Sequence, residues 1–245
     1  MSALPGTTDR RRIYLMRHGH VDYFAPEVRE RGTTDFVPLT ALGREQARAS
    51  GVALSHIRFD RALSSGLPRT RETAEIVLAE NEDTDHLTLG SDSGLVEIKG
   101  GKNGPKVKTR EEFAARMAFE FDQAAEPGAR MMGGDAFAEV QERAIGSLKT
   151  LLAEPGWHTA LVVAHEGTNR LLLSWMTGAG LRAVQAFEQD LACINVFDFD
   201  MVPREDGSVG TEIQRRFIKS VNLTPYNYLK HGMNMTALET IFTRV

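Results

Sequence analysis

Four apolar residues, Ile13-Tyr14-Leu15-Met16, run directly into Arg17-His18-Gly19. A short apolar run closed by a glycine turn reads as a buried strand that carries its last side chains to the end of a sheet. An arginine there presents a planar fork of donors to phosphate oxygens, and a neutral imidazole nitrogen is a nucleophile. The glycine lets the backbone turn tightly and approach an anion closely. Taken alone, Arg17 is as well explained by an ion pair with an acid such as Glu72. Three later segments give the Arg-His pair its meaning.

Those segments sit in an alternation of strand and helix signals. After a loose leader over 1–11, strand 12–17 leads into a polar stretch, 23–38, where Pro26, Gly32 and Pro38 prevent a long helix. Thr40 suits the N-cap of a helix reaching about Leu54, and Pro68 suits the first turn of another reaching about Glu80. Arg61-Ala62-Leu63 and Leu87-Thr88-Leu89 read as the second and third strands. Residues 97–108 form a glycine-rich basic loop with Lys99, Lys102, Lys106 and Lys108, and helix resumes over 109–125. Phe137, Val140, Ala144, Leu148 and Leu151 recur at spacings of three and four, a core-facing stripe stopped by Pro155-Gly156. Residues 159–164 form a buried strand that ends in His165-Glu166-Gly167, and a helix with Leu171, Leu172, Trp175 and Met176 follows. Strands near 193–199 and 211–221, joined at Asp206-Gly207, close the pattern as a hairpin with one antiparallel strand.

This order predicts an α/β fold: a three-layer sandwich whose mostly parallel sheet has helices on both faces. A single domain over 1–245, with small cap insertions around 20–38 and 95–135, accommodates every element. Open α/β sheets bind ligands beyond the carboxyl ends of their strands. Arg17-His18, Ser64-Ser65 with Arg69 one helical turn on, and His165 all fall at such ends.

Composition narrows the function classes. A net charge of −4 provides no global basic field for nucleic acid. No apolar run reaches the roughly 18 residues of a membrane span, and residues 1–12 lack the apolar centre of a signal peptide. The single cysteine, Cys193, excludes an intrachain disulfide and lies in an apolar run, as a small core residue would. A reducing cytoplasm is the expected compartment. His56, His86, His158 and His231 stand in polar contexts and read as surface histidines, and Arg71 as a solvated or salt-bridged one.

The ordered set Arg17-His18-Gly19, Pro38-Leu39-Thr40-Ala41-Leu42-Gly43-Arg44-Glu45-Gln46-Ala47, Ser64-Ser65-Gly66-Leu67-Pro68-Arg69-Thr70-Arg71-Glu72-Thr73-Ala74 and Val162-Val163-Ala164-His165-Glu166-Gly167 resembles the histidine phosphatase superfamily, the phosphoglycerate-mutase-like group, over roughly residues 12–200. The resemblance implies a phosphohistidine mechanism. His18 matches the nucleophile, Arg17 and Arg69 the arginines that hold the phosphoryl group, and His165 the second histidine. Leu95-Val96-Glu97-Ile98 resembles the segment that carries the proton donor, which implicates Glu97, with Glu166 and Asp92 as competitors. Two arginines and a histidine neutralise a phosphate monoester, so no metal and no cofactor is expected.

The chain departs from the family pattern in three places. His20-Val21-Asp22-Tyr23 stands where many members have a hydroxyl and an amide on the phosphate, so His20 either substitutes as a donor or lines the entrance. The loop after Glu97 lacks the aromatic-glycine signature of cofactor-dependent mutases, which favours a phosphatase. Its lysines are either a solvated face or a guide for an anionic substrate. Glu166 follows the second histidine where glycine is common, and an acid so near is expected to favour protonation of the histidines and to reach the pocket. The expected partner is a small phosphorylated substrate, and neither nucleic acid nor membrane. The alternatives are a phosphomutase and a non-enzymatic phosphate-binding module on the same fold. A metal hydrolase using His18-Gly19-His20 is disfavoured by two arginines at the same strand ends. Gly101-Lys102-Asn103 lacks the Ser or Thr of a P-loop. The tail, 222–245, either covers the core or forms a homodimer contact.

Overall fold

The computed structural model describes residues 7–31, 33–101, 112, 116, 119–205, 207 and 210–242. Six strands form one sheet in the order β3-β2-β4-β1-β5-β6. They are β1 Asp9–Arg17, β2 Arg61–Ser64, β3 Leu89–Ser91, β4 Thr159–Ala164, β5 Ile194–Pro203 and β6 Thr211–Leu223. The β1–β4, β2–β4 and β2–β3 pairs are parallel, while β5 is antiparallel to both β1 and β6. One strand therefore runs against the other five, as the hairpin signal implied.

Side-chain alternation along the strands assigns the two faces. Ile13, Leu15, Ala160, Val162, Phe197 and Phe199 join one core with α4 (Phe137–Ala153) and α5 (Glu166–Met176). Tyr14, Met16, Leu161, Val163, Ile194 and Val196 face the opposite way, against Leu54 of α2 (Ala41–Leu54) and Ala74 and Val77 of α3 (Pro68–Ala79). The predicted α/β three-layer architecture is the observed one. Each fully buried Leu, Val or Phe in these two cores contributes roughly 1.5–3 kcal/mol. Cys193 is also buried, with its thiol pushed up to about 12 by desolvation, which suits an inert interior residue.

Local chemistry sets the helix starts as expected. Thr40 caps α2 by accepting from Gly43 N at 3.1 Å, and Pro68 opens α3. Between β2 and α3 the chain turns at Gly66, whose φ of 85° favours glycine. Gly19 and Gly43 allow the loop after β1 to lie on α2: a Cβ on Gly19 would stand 2.3 Å from Gly43 O, and one on Gly43 would stand 2.2 Å from His20 O. The start of α2 is thus packed directly against the Arg17-His18 loop.

Four elements differ from the sequence reading. Residues 9–11 belong to β1 rather than to a loose leader, because Arg10 and Arg12 pair with Asp200 and Asp198 across the sheet. The third strand is Leu89–Ser91, two residues later than predicted, because its register is fixed by Ala62↔Leu89 and Ser64↔Ser91. The polar stretch after β1 contains a six-residue helix, α1 (Pro26–Arg31). Of the predicted helix 109–125, Glu112, Arg116, Phe119 and Glu120 are helical and eight residues lie outside the described ones, and its end is a 3-10 turn at Phe121–Gln123. Lys102, Lys106 and Lys108 also lie outside them. In the tail, α6 (Ala237–Phe242) places Leu238 in a third cluster with Ile98, Phe121 and Met131, so this part of the tail covers the protein's own core. Among the described residues no helix is long and apolar enough to cross a membrane.

Candidate active site

The sheet order places β2, β4 and β1 side by side, so their carboxyl ends bring Ser65, His165 and Arg17-His18 together. His18 and His165 are both buried, with ring centroids 5.3 Å apart at 66°. His18 Nδ1 lies 2.7 Å from Gly19 O. A carbonyl only accepts, so Nδ1 donates and Nε2 of the neutral ring keeps its lone pair. Tyr23 Oη lies 3.5 Å from that Nε2.

The tautomer of His165 follows from a chain of hydroxyls. Thr70 Oγ1 donates to Leu67 O at 2.8 Å, which commits its only hydrogen. Ser65 Oγ, 2.8 Å from Thr70 Oγ1, must then donate to it, and His165 Nε2, 2.8 Å from Ser65 Oγ, must donate to the serine. His165 Nδ1 is left buried with no hydrogen-bond partner. Removing the serine acceptor should release this tautomer. Ser65→Ala is expected to lower kcat about tenfold, the loss of roughly one buried hydrogen bond. It should also shift the ¹⁵N resonances of the His165 ring, which a purely structural serine would not affect.

Arg17 and Arg69 are buried and line a cavity of about 690 Å³. Arg17 Nη1 donates to Gln189 O at 2.5 Å and pairs with Glu166 Oε2 at 3.0 Å. Burial opposes the Arg17 charge most strongly, but Glu166, Tyr23, Cys193 and Glu97 together outweigh it, and the Arg17 pKa lies above the ordinary value. Arg69 Nη1 donates to Thr34 O at 2.9 Å, and its guanidinium lies 5.8 Å from the Tyr23 ring centroid. Each arginine keeps a buried Nε with no hydrogen-bond partner. Buried polar groups are nearly always satisfied, so two orphaned guanidinium donors from residues that line one cavity fit an anion with several acceptor oxygens, while the orphaned His165 Nδ1, a lone pair in this tautomer, fits a proton-bearing oxygen of that anion.

Glu97 reaches the first turn of α5. Its Oε1 accepts from Ile98 N at 2.9 Å and Thr168 N at 3.1 Å, and its Oε2 from Gly167 N at 3.1 Å. Burial raises its pKa above the usual carboxylate value, although the Gly167 amide and its neighbours pull the other way. Gly167 is required here, because a Cβ would stand 2.8 Å from Glu97 Oε1 and 2.6 Å from Ile98 Cγ2.

Other expectations are corrected. Arg17 pairs with Glu166, not Glu72, which is held by Arg44 at 2.5 Å. Glu166 does line the cavity, but it is clamped between Arg17 and Arg170, the latter at 2.7 Å. It does not promote protonation of the histidines. Burial, followed by the positive charge of Arg69, holds both His18 and His165 well below the ordinary histidine value. His20 turns away toward α2, with Nδ1 2.8 Å from Thr40 Oγ1, and is absent from the cavity lining. Asp92 caps the 3-10 turn Ser93–Leu95 through Gly94 N. Arg71 pairs with Glu75 on the exposed face of α3, and His56, His86, His158 and His231 are exposed.

The sequence reading missed Ser65 as the partner of His165, although Ser64-Ser65 at the end of β2 was the available signal. It also missed Gln189, held by reciprocal amide bonds with Asn195 at 2.8 and 3.0 Å. No local signal marks a backbone carbonyl 172 positions from the arginine it serves.

A family model for the histidine phosphatase superfamily (branch 1) matches residues 13–203. The chain belongs to that superfamily. Among relatives of this histidine-phosphatase chain, the 2-carboxy-D-arabinitol-1-phosphatase of Triticum aestivum is 30% identical over 207 residues, covering 82% of the chain and 39% of that protein. The chain thus spans well under half the length of that plant relative. The probable phosphoglycerate mutase GpmB of Salmonella paratyphi A is 32% identical over 169 residues, 68% of the chain and 74% of that protein. The solved mycobacterial glucosyl-3-phosphoglycerate phosphatase has a TM-score of 0.66 at 22% identity, covering 87% of this chain and 99% of that one, a likeness of fold. The superfamily thus includes relatives named as phosphatases and as mutases.

Proposed function

We propose that this chain is a phosphomonoester hydrolase that needs no metal and acts through a phosphohistidine on His18. The observation that carries the reading is the lone pair of His18 Nε2 beside three buried groups without partners, Arg17 Nε, Arg69 Nε and His165 Nδ1. The arginines hold the phosphoryl oxygens, and a phosphate ester that enters as the monoanion passes its proton to the lone pair of His165 Nδ1, which then donates back to the resulting dianion. Depressed basicity keeps His18 neutral and nucleophilic at neutral pH.

Nε2 attacks phosphorus, the ester P–O bond breaks, and the leaving oxygen takes the proton of the Glu97 carboxyl. Oε2 is the oxygen free for that proton, since it accepts one backbone N–H while Oε1 accepts two. The Glu97 carboxylate next takes a proton from water, whose oxygen attacks phosphorus. The P–N bond breaks, and free phosphate and neutral His18 return. Positive charge from two arginines and His165 meets the charge on the equatorial oxygens throughout.

The test is phosphate release from an aryl phosphate with a chelator present, repeated with and without a bisphosphorylated primer. Release that resists the chelator and ignores the primer is expected. Loss with chelator would transfer the chemistry to a metal, and transfer that requires the primer would make the chain a mutase.

A further inference from the structure

The cavity beyond the phosphate floor has an unusual charge balance. Its described lining holds three cations, Arg17, Arg69 and Lys99, and three acids, Asp35, Glu97 and Glu166. Both arginines are committed to the phosphoryl group on the hydrolase reading. Lys99 Nζ lies 3.1 Å from each carboxylate oxygen of Asp35, an ion pair that joins the stretch after β1 to the loop after Glu97. Glu166 is already matched by Arg17 and Arg170. Among the described residues no cation remains for a second anionic group. Apart from the hydroxyls of Tyr23, Thr33 and Thr34, the side chains of the rest of the wall are apolar, with Phe24, Val28, Ile98, Phe121, Met131 and Leu238 supplied by four separate segments.

We propose, on the hydrolase reading of this site, that the cavity selects monophosphate esters of uncharged, largely apolar alcohols or phenols, and that Asp35, by holding Lys99, sets the bias against esters bearing a second anion. An apolar leaving group exchanges water for Phe121, Met131 and Leu238, a gain proportional to the area covered. A carboxylate in the same place faces the Asp35 charge and must compete with it for Lys99. Asp35 is a specificity residue. It touches neither histidine, and its loss leaves Arg17, Arg69 and His18 in place.

The experiment compares 2-naphthyl phosphate with 6-carboxy-2-naphthyl phosphate on the wild-type chain and on Asp35→Asn. The wild type is expected to prefer the neutral ester at least about tenfold in kcat/KM. Asp35→Asn frees the ammonium and should narrow that ratio about five- to tenfold, by gain on the carboxylated ester, the size of one charge contact near a protein surface. Inhibition by inorganic phosphate should be the same in both proteins. Binding of the two matching naphthylmethylphosphonates, measured by calorimetry, reads the same wall without turnover. Selective binding with no turnover would overturn the hydrolase reading and keep the specificity. Turnover or binding that favours the carboxylated ligand, or a ratio unmoved by Asp35→Asn, would overturn the specificity.

Discussion

His18→Ala is expected to lower phosphate release from an aryl phosphate by on the order of 10⁴-fold or more, the scale on which loss of a covalent nucleophile is felt. The argument is geometric before it is electronic. Nδ1 is tied to Gly19 O at 2.7 Å, so the ring is fixed in both orientation and tautomer, and only Nε2 can attack. Burial keeps that nitrogen unprotonated well below the usual histidine value, so the acid limb of the activity should lie below pH 6.5. The intermediate supplies a second readout. A P–N bond is labile to acid and survives alkali, so an alkaline quench of the wild-type chain with ³²P-labelled substrate should trap label on protein, and the variant should trap none. A variant that retains its melting temperature and still turns over substrate would place the nucleophile elsewhere. A variant that fails to turn over yet is protected against heat by phosphate would separate the chemistry from anion binding.

The legible parts of this molecule are those where one physical requirement dominates. Strands β1 and β4 are buried on both faces, and nothing but an apolar run serves there, so Ile13–Met16 and Ala160–Ala164 are legible directly. Arg17, His18, Arg69 and His165 are legible because their types are dictated by phosphate and their positions by strand ends. Whatever depends on pairing between distant segments is not. The third strand is three residues long, and its position follows from β2 rather than from its own pattern. His20 carries the right chemistry for the pocket, yet Thr40 captures its ring, a contact that depends on the Gly19–Gly43 approach. Glu166 adjoins His165 in sequence, but the first turn of α5 aims it at Arg17 and Arg170. Proximity along the chain predicted the wrong electrostatic partner.

Glu97→Gln should test the remaining role, through its dependence on the leaving group. For an alkyl phosphate, whose alkoxide is a poor leaving group, the variant is expected to lose about 10²–10⁴-fold in kcat/KM, the usual worth of a positioned proton donor. For 4-nitrophenyl phosphate, whose phenolate leaves unaided, the loss in the first step should be much smaller. Dephosphorylation still needs a base for water, so labelled phosphoenzyme should accumulate in the variant. The pH profile supplies the sign. Burial raises the Glu97 pKa, so the carboxyl keeps its proton to higher pH than an exposed glutamate and loses it as pH rises through the raised value. Wild-type kcat/KM on the alkyl ester should therefore fall on the alkaline side, and that limb should vanish in Glu97→Gln. The amide is close in size and keeps an oxygen for the Ile98 and Thr168 amides, but its NH₂ would face Gly167 N–H at the other position. A modest loss of stability is expected with it, about 1–3 kcal/mol for a buried donor left without an acceptor. Glu97→Asp separates the two effects. It keeps the titrating group and the alkaline limb while withdrawing the carboxyl from the first turn of α5. A full loss that is equal for both esters, with no change in the pH profile, would reduce Glu97 to an anchor for that helix and return the proton donor to another acid of the cavity.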